Sequence, residues 1–363
     1  MSIRSEKRSR VAIIAWDGGI GGIQRMLLNF ARTVDKEQFE IKYIFLSGQH
    51  TLIADQIRAL DNSVVVLNWE NAWSVHKRLQ LIKLLRDFSP HIIHEHSASV
   101  GLAIQYRLLT PIIIRTEHGS CLRRSDVRYL KGRWFDNFFI RTHIAVSSYI
   151  AGEYSRIFKI SNRRIVVIPN GIWVDEFPVS LSNRNHHTDI RIGFIGRFCL
   201  EKGVDDFIAF ARLDPLPNAS YWLWGDKLDS GSAVLLNTTG NSNGHIHFGG
   251  WSEKPADTYA ELDLLVFPSH AKESFGLVPL EAIASGVPVV AYATGAIPEI
   301  LEACPYAELV PTGRIQSLVD ASAQLLRKRR DFVPGEMHEW VRKRYDICNH
   351  TRRIESVYHK LLA

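Results

Sequence analysis

DLLVFPSHAKESFGLVPLEAIASGVPVVAY, residues 263–292, contains a complete strand–loop–helix–strand pattern. DLLVFPS is a nearly continuous apolar run, which is typical of a strand buried on both faces of a parallel sheet. Residues 277–285 have helical character, and PVVAY is a second short β-branched run. Doubly wound α/β folds are built from such units, in which a helix joins two parallel strands. This stretch therefore predicts a parallel sheet covered by helices.

The same alternation of β-branched runs and amphipathic segments extends over most of the chain. The first predicted strands are VAIIAW, EIKYIFL, SVVVLNW, PHIIHEH, PIIIRTEH, HIAVS and RIVVIPN. After a polar, aperiodic stretch at 173–189, predicted to be a linker, a second series follows: RIGFIG, SYWLWG, HIHFGG, DLLVFPS, PVVAY and AELVP. We expect an N-terminal Rossmann-like domain over 1–172 and a C-terminal one over 190–344. The last stretch, 335–363, is predicted to be helical.

Composition agrees with this two-domain interpretation. The chain has 363 residues, of which 46% are hydrophobic and 23% charged, as in ordinary globular proteins. Its four cysteines lie far apart, which favours free thiols over a disulfide framework or a zinc site. No apolar run is long enough to span a membrane, so we expect a cytoplasmic protein. The net charge of +6 is compatible with anionic ligands.

Glu273 and Glu281 are the carboxylates of the opening stretch. Glu273 is predicted in the loop after the buried strand, and Glu281 about one turn into the helix, at the sheet edge where α/β proteins bind ligands. Gly276 lets the backbone approach closely, and the free N–H groups that follow it suit a phosphate. The pair could be a solvated helix edge, two hydrolytic acids or contacts to a ligand.

A second segment, RIGFIGRFCLEKG, has the same form. Arg197 and Lys202 follow a strand and precede a helix, so we expect both at the carboxyl edge of the same sheet. A cation at a helix start opposes the helix dipole, which suggests a nearby anion. Two cations and a helix N-terminus could hold a diphosphate without a metal, and no acidic pair suited to magnesium is evident. A glycoside hydrolase has no use for such cations, so they favour the ligand interpretation of the glutamates.

These motifs together resemble the retaining nucleotide-sugar glycosyltransferases of family four, the group 1 glycosyltransferases. The resemblance is carried by G-R-x4-K-G, E-x7-E and ASGVPVVAYATGAIPEI, and extends to IIAWDGGIGGIQRMLLNFAR, TEHG, VSSYI and IPNGIWVDEF. It implies the GT-B fold, in which two Rossmann-like, doubly wound parallel-sheet domains face each other across a cleft. It also implies that the C-terminal helix, 345–363, crosses back to the first domain.

The resemblance also implies a role for each matching residue. Catalysis would involve His118, over the donor sugar, with Arg197, Lys202 and Glu273. Arg197 and Lys202 would bind the donor diphosphate, Glu281 the ribose hydroxyls and Glu273 the sugar. The full set of implied donor-binding residues is Gly21, Gly22, Arg197, Lys202, Glu273, Ser274, Phe275, Gly276, Leu277, Val278 and Glu281. Asn170 and Gly171 match the turn that enters the interdomain hinge.

Two positions depart from the family pattern. Many relatives have Glu where this chain has Gln24, so an acidic role there is in doubt. The segment SYWLWGDKLDSG lacks the usual G-x-G-like turn, which leaves recognition of the base near Trp224 and Gly225 open.

The segment 120–141 mixes basic and aromatic side chains. It is either an amphipathic helix packed on its own domain or a contact to a membrane surface. Nucleic acid is excluded as a partner because no supporting fold motif is present.

The function implied by the resemblance is transfer of a sugar, with retention, from a nucleoside-diphosphate sugar to a glycan or glycolipid acceptor. A UDP-sugar is favoured and a GDP-sugar is the alternative donor. No metal or other cofactor is expected, and the protein would work in the cytoplasm, with a peripheral position at the inner membrane face as an option. Two rival functions are a nucleotide-sugar epimerase of the same fold and a non-catalytic nucleotide-sugar-binding protein.

Overall fold

A computed structural model describes residues 8–19, 21–70, 74–96, 102–107, 109–110, 112–119, 127–179, 189–213, 216, 218–225, 245–250, 252 and 254–363. The chain forms two compact units. The first consists of Met1–Gly171 together with Ile347–Ala363, and the second of Ile172–Asp346. Each contains one parallel sheet with helical crossovers, so the predicted α/β class with two doubly wound parallel sheets is confirmed.

The first unit has a seven-stranded parallel sheet in the order β3-β2-β1-β4-β5-β6-β7. Its strands are β1 Ser9–Ala15, β2 Phe39–Phe45, β3 Ser63–Val66, β4 Ile92–His96, β5 Ile112–Glu117, β6 Thr142–Ala145 and β7 Ile165–Val167. Its helices are Gly22–Thr33, Leu52–Arg58, Val75–Phe88, Ala103–Arg107, Val127–Asp136, Ser148–Phe158 and Ile347–Leu362, with a 3-10 turn at Asn162–Arg164. The strand order reverses between β1 and β4, and ligands bind at such switch points.

The second unit has a six-stranded parallel sheet in the order β10-β9-β8-β11-β12-β13. Its strands are β8 Ile190–Ile195, β9 Ala219–Trp224, β10 Ile246–Gly250, β11 Leu264–Phe267, β12 Val289–Tyr292 and β13 Ala307–Val310. Its helices are Val204–Arg212, Pro255–Ala260, Leu277–Ala284, Ile297–Ile300, Ile315–Lys328 and Pro334–Tyr345, with 3-10 turns at Val174–Glu176, Leu200–Lys202 and Arg329–Asp331. Here the order reverses between β8 and β11.

The apolar runs form strands because both faces of each sheet are covered. In β1, Val11 and Ile13 belong to one hydrophobic cluster, whereas Ala12 and Ile14 belong to the cluster on the opposite face. All four residues of β11 are likewise buried. A continuous rather than alternating apolar pattern is the expected result for such strands.

The C-terminal region differs from the single helix predicted over 335–363. Asp346 adopts an extended conformation, with φ −63° and ψ 138°, and separates two helices, Pro334–Tyr345 and Ile347–Leu362. The second of these packs in the first unit, where the Tyr358 ring meets Phe39 at 5.5 Å and its hydroxyl lies 2.7 Å from Nδ1 of His94. At the start of this helix, a Cβ on Gly171 would lie 2.6 Å from Cα of Ile347, so only glycine fits there.

The predicted linker, 173–189, is described as far as residue 179 and again at 189, and 180–188 lie outside the described residues. Residues 173–179 belong to the second unit, because the apolar side chains of Val174 and Phe177 are buried in it. Phe177 meets Tyr259 edge to face at 5.9 Å. Across the ranges that the structure describes, no helix combines the length and apolarity needed to cross a membrane.

Candidate active site

The loop after β8 carries Arg197 to the carboxyl edge of the second sheet. Its course depends on a close approach of two backbone segments, since a Cβ on Gly225 would lie 1.8 Å from the carbonyl oxygen of Gly196. The Arg197 side chain is 52% exposed, and its ion pair with Glu201 is long, at 3.9 Å. The guanidinium therefore remains accessible to an anion from solution.

Lys202 ends the 3-10 turn and contacts the loop that follows β11. Its Nζ lies 2.7 Å from Oε1 of Glu273, and the Ser269 hydroxyl donates to the same oxygen at 2.6 Å. Gly203 makes this approach possible, because at φ 74° a Cβ would lie 1.8 Å from the carbonyl oxygen of Pro268. The sequence predicted an anion near the Lys202 cation, because a cation at a helix start opposes the helix dipole. In this structure that anion is the carboxylate of Glu273.

The backbone of the Glu273 loop is held by the turn after β12. The Ala296 N–H donates to the Glu273 carbonyl at 2.8 Å, and the Thr294 hydroxyl donates to the Ala271 carbonyl at 3.1 Å. Gly295, at φ 57°, packs so closely that a Cβ would lie 2.3 Å from the Glu273 carbonyl oxygen. The turn formed by Thr294, Gly295 and Ala296 therefore fixes the position of Glu273.

Helix Leu277–Ala284 begins directly after this loop. Gly276 is its N-cap, at φ 120°, and neither a side-chain cap nor an acidic residue neutralises the first turn. The preceding side chain, Phe275, is buried against Tyr345 at 5.8 Å. The segment from Ser274 to Val278 therefore presents the start of a helix, with its partial positive charge, beside Glu273.

Glu281 lies one turn into this helix, as the spacing predicts. The hydroxyl of Tyr259 donates to its Oε2 at 2.8 Å. Burial, together with the adjacent Glu281 carboxylate, raises the pKa of Tyr259 well above its ordinary value, so this hydroxyl stays a donor. Sequence reasoning missed Tyr259, because nothing in its local pattern distinguishes it from a core tyrosine.

A possible metal-binding group lies beside these residues. Asp205, Asp206 and His270 are, among the described residues, the only cluster whose ligand atoms all lie within 4.8 Å of one another. Nε2 of His270 lies 3.1 Å from Oδ2 of Asp206, which also accepts a hydrogen bond from the Tyr292 hydroxyl. Oδ2 of Asp206 therefore already has two partners, His270 and the Tyr292 hydroxyl. These contacts join the start of helix Val204–Arg212 to the loop after β11.

In the first unit, the glycine loop after β1 is ordered by Asp17. Its Oδ1 accepts hydrogen bonds from the Gly19 N–H at 3.0 Å and from Nε2 of Gln24 at 2.9 Å. Gly21 and Gly22 lie at the start of helix Gly22–Thr33, where a Cβ on Gly21 would meet the Gln24 oxygen at 2.5 Å. A glutamate at position 24 would repel Asp17, which gives a physical reason for the departure from the family pattern.

His118 follows β5 and contacts a buried histidine. Its Nε2 lies 2.9 Å from Nδ1 of His96, and the two rings stack at 5.1 Å. Burial lowers the pKa of His118 to about 3 and that of His96 well below 6.5, so both rings are neutral near physiological pH. His94 lies next to His96 and bonds to Thr116 and Tyr358, both at 2.7 Å, so it serves packing.

The structure thus brings Lys202, Glu273 and Ser269 into direct contact, with Arg197 and the helix carrying Glu281 at the same sheet edge. His118, Gly21 and Gly22 occupy the carboxyl edge of the other sheet, in the first unit. In the second unit the group lies at the switch point between β8 and β11. In the first unit the glycine loop follows β1, at the switch point, and His118 follows β5, next to β4. Both positions are at the carboxyl edges of the sheets, where α/β proteins bind ligands.

Comparison with known proteins matches both parts of the chain to one group of enzymes. Residues 20–176 match the family described as Glycosyltransferase Family 4, and residues 180–344 match Glycosyl transferases group 1. The phosphatidyl-myo-inositol mannosyltransferase of Mycobacterium leprae is 27% identical over 364 residues, which cover 93% of this chain and 92% of that protein.

Another relative matches over a shorter length. The N-acetyl-alpha-D-glucosaminyl L-malate synthase of Bacillus anthracis is 33% identical over 134 residues, 37% of this chain and 35% of that protein. This chain therefore spans only about a third of that relative's length. Among solved structures, Anabaena Alr3699/HepE in complex with UDP and glucose has a TM-score of 0.81 at 16% identity, covering 97% of this chain and 100% of that one.

Proposed function

We propose, from the premise that this chain belongs to the group 1 glycosyltransferases of family four, that it transfers a sugar from a nucleoside-diphosphate donor to an acceptor hydroxyl with retention at the anomeric carbon. The observation that carries this proposal is the contact of Lys202 with Glu273, beside Arg197 and the start of helix Leu277–Ala284. A cation pair, a helix start and a carboxylate at one switch point suit a diphosphate joined to a sugar.

The cations have the task of stabilising charge that grows on the leaving diphosphate. Arg197 would contact it from the exposed side, and Lys202 would turn from Glu273 toward it when the donor binds. Removing one such donor of positive charge costs about 3 kcal/mol, or a factor of roughly 10² in rate. The helix start after Gly276 would add its backbone N–H groups, from Phe275 to Val278, to the same anion.

Glu273 and His118 would act on the donor sugar. When Lys202 turns to the diphosphate, the Glu273 carboxylate keeps the Ser269 hydrogen bond and can offset the positive charge that develops at the anomeric carbon. His118, which is neutral, can offer a ring N–H or a lone pair to a sugar hydroxyl. The leaving diphosphate would help to take the proton from the acceptor, on the same face of the sugar.

The ribose would be bound by Glu281, whose orientation is set by Tyr259. Gly21 and Gly22 would approach the donor phosphates and the acceptor. A UDP-sugar is the favoured donor, which the UDP and glucose in the Anabaena structure support, and a GDP-sugar is the alternative. We propose that no metal takes part, since Lys202, Arg197 and the helix start supply the positive charge.

The acceptor would be a glycan or glycolipid used for a surface polysaccharide. A lipid-linked substrate is supported by the name of the Mycobacterium leprae relative, which acts on phosphatidyl-myo-inositol. Such an acceptor would place the enzyme in the cytoplasm, at the inner face of the membrane. The predicted membrane contact through 120–141 belongs to the same proposal, although residues 120–126 lie outside the described residues.

The test is incubation of the purified protein with UDP-glucose, UDP-galactose, UDP-N-acetylglucosamine or GDP-mannose in the presence of EDTA, with glycan and lipid-linked acceptors. NMR of the product should show the anomeric configuration of the donor. An inverted product would contradict retention. A changed sugar formed without acceptor would identify an epimerase, and donor binding without turnover across all acceptors would identify a binding protein.

A further inference from the structure

Helix Val127–Asp136 has its charged side inside and its aromatic side outside. Arg133 and Asp136 are 3% and 0% exposed, whereas Trp134 and Phe135 are 50% and 46% exposed. In the turn that follows, Phe138 is 63% exposed and its ring meets Trp134 edge to face at 4.8 Å. A helix that covers a sheet normally shows the opposite arrangement.

The buried side is stabilised by an ionic network with the sheet. Arg133 bonds to Glu117 on β5, and Nδ1 of His143 on β6 lies 3.0 Å from the same carboxylate. Asp136 lies 3.4 Å from Arg115, which also bonds to Glu95. Burial acts to raise the pKa of Glu117, but Arg133 and His143 outweigh it and bring the value to about 2. These contacts fix the rotation of the helix, so the aromatic side cannot turn inward.

The aromatic side forms a compact surface, which we call the aromatic patch: Trp134, Phe135 and Phe138. Among the described residues, three of the four exposed Trp and Phe side chains are in this patch, and Phe248 is the other. Exposed apolar clusters of this kind mark sites of interaction, whereas single exposed apolar residues need no explanation.

The charges around the patch are basic. Lys131 lies one turn before Trp134 and Phe135 on the same helix, and it is exposed, as are Arg141 and Arg163. Arg163 and Arg164 are neighbours in one 3-10 turn, and Arg164 bonds to the carbonyls of Asn137 and Ile140 beside the patch. Over 127–141 the only carboxylate in the sequence is that of Asp136, which is buried.

We infer, resting on the membrane contact through 120–141 in the proposed function, that the aromatic patch and its basic rim dock the protein on an anionic lipid surface. Aromatic rings enter the interfacial region of a bilayer, while Lys and Arg contact acidic headgroups. The patch lies at the edge of the sheet where β6 begins, because the crossover helix runs back from the end of β5. Docking there leaves the opposite edge, with His118, Gly21 and Gly22, open to substrate.

The test is co-sedimentation of the full chain with vesicles of phosphatidylcholine, and with vesicles of an equal mixture of phosphatidylcholine and phosphatidylglycerol. We expect binding to the mixed vesicles, weakened by salt, and little binding to the neutral ones. The double variant Trp134→Ser, Phe138→Ser should lose at least about tenfold in affinity. Lys131→Glu with Arg141→Glu should lose about fivefold for each reversed charge.

Matched controls remove equally exposed side chains from the second unit. Leu213 and Val333 are 58% and 51% exposed, so Leu213→Ser with Val333→Ser should bind vesicles as the unchanged protein does. Arg327→Glu with Arg330→Glu makes the same change in net charge. It should reduce the affinity for mixed vesicles less than Lys131→Glu with Arg141→Glu does. Thermal melting identifies any variant that fails to fold.

The inference is overturned if the protein binds mixed and neutral vesicles with equal affinity. It is also overturned if the variant Trp134→Ser, Phe138→Ser binds as tightly as the control variant Leu213→Ser, Val333→Ser. It is also overturned if light scattering finds a dimer that Trp134→Ser, Phe138→Ser dissociates, since the patch would then cover a second copy. Vesicle binding needs no donor or acceptor, so its failure leaves the proposed sugar transfer untouched, and loss of sugar transfer leaves the docking surface untouched.

Discussion

The ammonium group of Lys202 lies 2.7 Å from Oε1 of Glu273, across 71 positions of sequence. In the proposed reaction these two groups have different ligands, the diphosphate and the sugar. Donor binding must therefore exchange an internal ion pair for two contacts with the substrate. Because Lys202 and Glu273 are 20% and 12% exposed, both remain within reach of a ligand from solvent.

Glu273→Gln should separate the two roles. Without the carboxylate, Lys202 is free for the diphosphate, so we expect UDP to bind about fivefold more tightly, ~1 kcal/mol. Sugar transfer should nevertheless fall by roughly 10², because the charge that develops on the sugar is no longer offset. Calorimetry with UDP and initial rates measure the two effects. Glu308→Gln, which removes the partner of Lys328 at 3.8 Å, is the control. A parallel loss of binding and rate would count against separate roles.

Tyr259→Phe should weaken recognition of the ribose and spare the diphosphate. The hydroxyl at 2.8 Å orients Glu281, and loss of a hydrogen bond to a carboxylate costs ~1.5 kcal/mol, or about tenfold in affinity. Titration with UDP and with inorganic pyrophosphate distinguishes the two parts of the ligand. Equal losses for both ligands would place Glu281 at the phosphates or show a general disturbance of the helix.

Gly295→Ala should displace the Glu273 loop. The added Cβ would lie 2.3 Å from a backbone oxygen of Glu273, so the loop must move and transfer should fall at least about tenfold. Gly313→Ala is the matched control, because its φ of 75° carries similar strain and nothing lies within 4 Å of the new Cβ. It should cost only ~1 kcal/mol of unfolding free energy and leave the rate unchanged. Equal rates for both variants would show that the loop position does not matter.

The buried histidines should make the first unit sensitive to acid. Burial lowers the pKa of His118 to about 3 and that of His350 to about 4, from 6.5 in the unfolded chain. The unfolded chain therefore takes up protons first. Stability is complete above pH 6.5 and falls as the pH drops, by ~1.4 kcal/mol per pH unit for each histidine. Carboxyl groups have an ordinary pKa near 4.5 and take up few protons above about pH 5.5, so the slope between pH 6.5 and about 5.5 reports mainly the histidines.

His350→Gln should reduce this slope. Denaturant unfolding of His350→Gln and of the unchanged protein, at several pH values between 6.5 and about 5.5, measures the difference in slope. An unaltered slope in His350→Gln would mean that His350 is protonated in the folded protein.

The sequence predicts the strands because each is a local apolar run that must be buried, as DLLVFPS shows. It also places Glu273 and Glu281 correctly, in a loop and on a helix, since strand, turn and helix signals all lie within one short segment. The break at Asp346 was not predicted, because neither glycine nor proline marks it and the helical pattern continues on both sides.

Contacts between distant segments could not be predicted. The partners that order the site are Lys202 at Glu273, Tyr259 at Glu281 and His96 at His118, and each depends on how the elements pack. The exposed patch was only partly foreseen. Basic and aromatic residues mark 120–141 in the sequence, but which side of the helix faces the sheet is set by Arg133 and Asp136, whose partners lie on other strands.

The most direct test of the account is calorimetric titration of UDP, with EDTA present, into the unchanged protein, Lys202→Ala and Lys328→Ala. Lys328 also pairs with a glutamate but lies on a helix remote from the proposed site in sequence. We predict that UDP binds without metal, that Lys202→Ala loses about a hundredfold in affinity, ~3 kcal/mol, and that Lys328→Ala binds normally. Binding that EDTA abolishes, or that survives in Lys202→Ala, would contradict a metal-free diphosphate site built on Lys202.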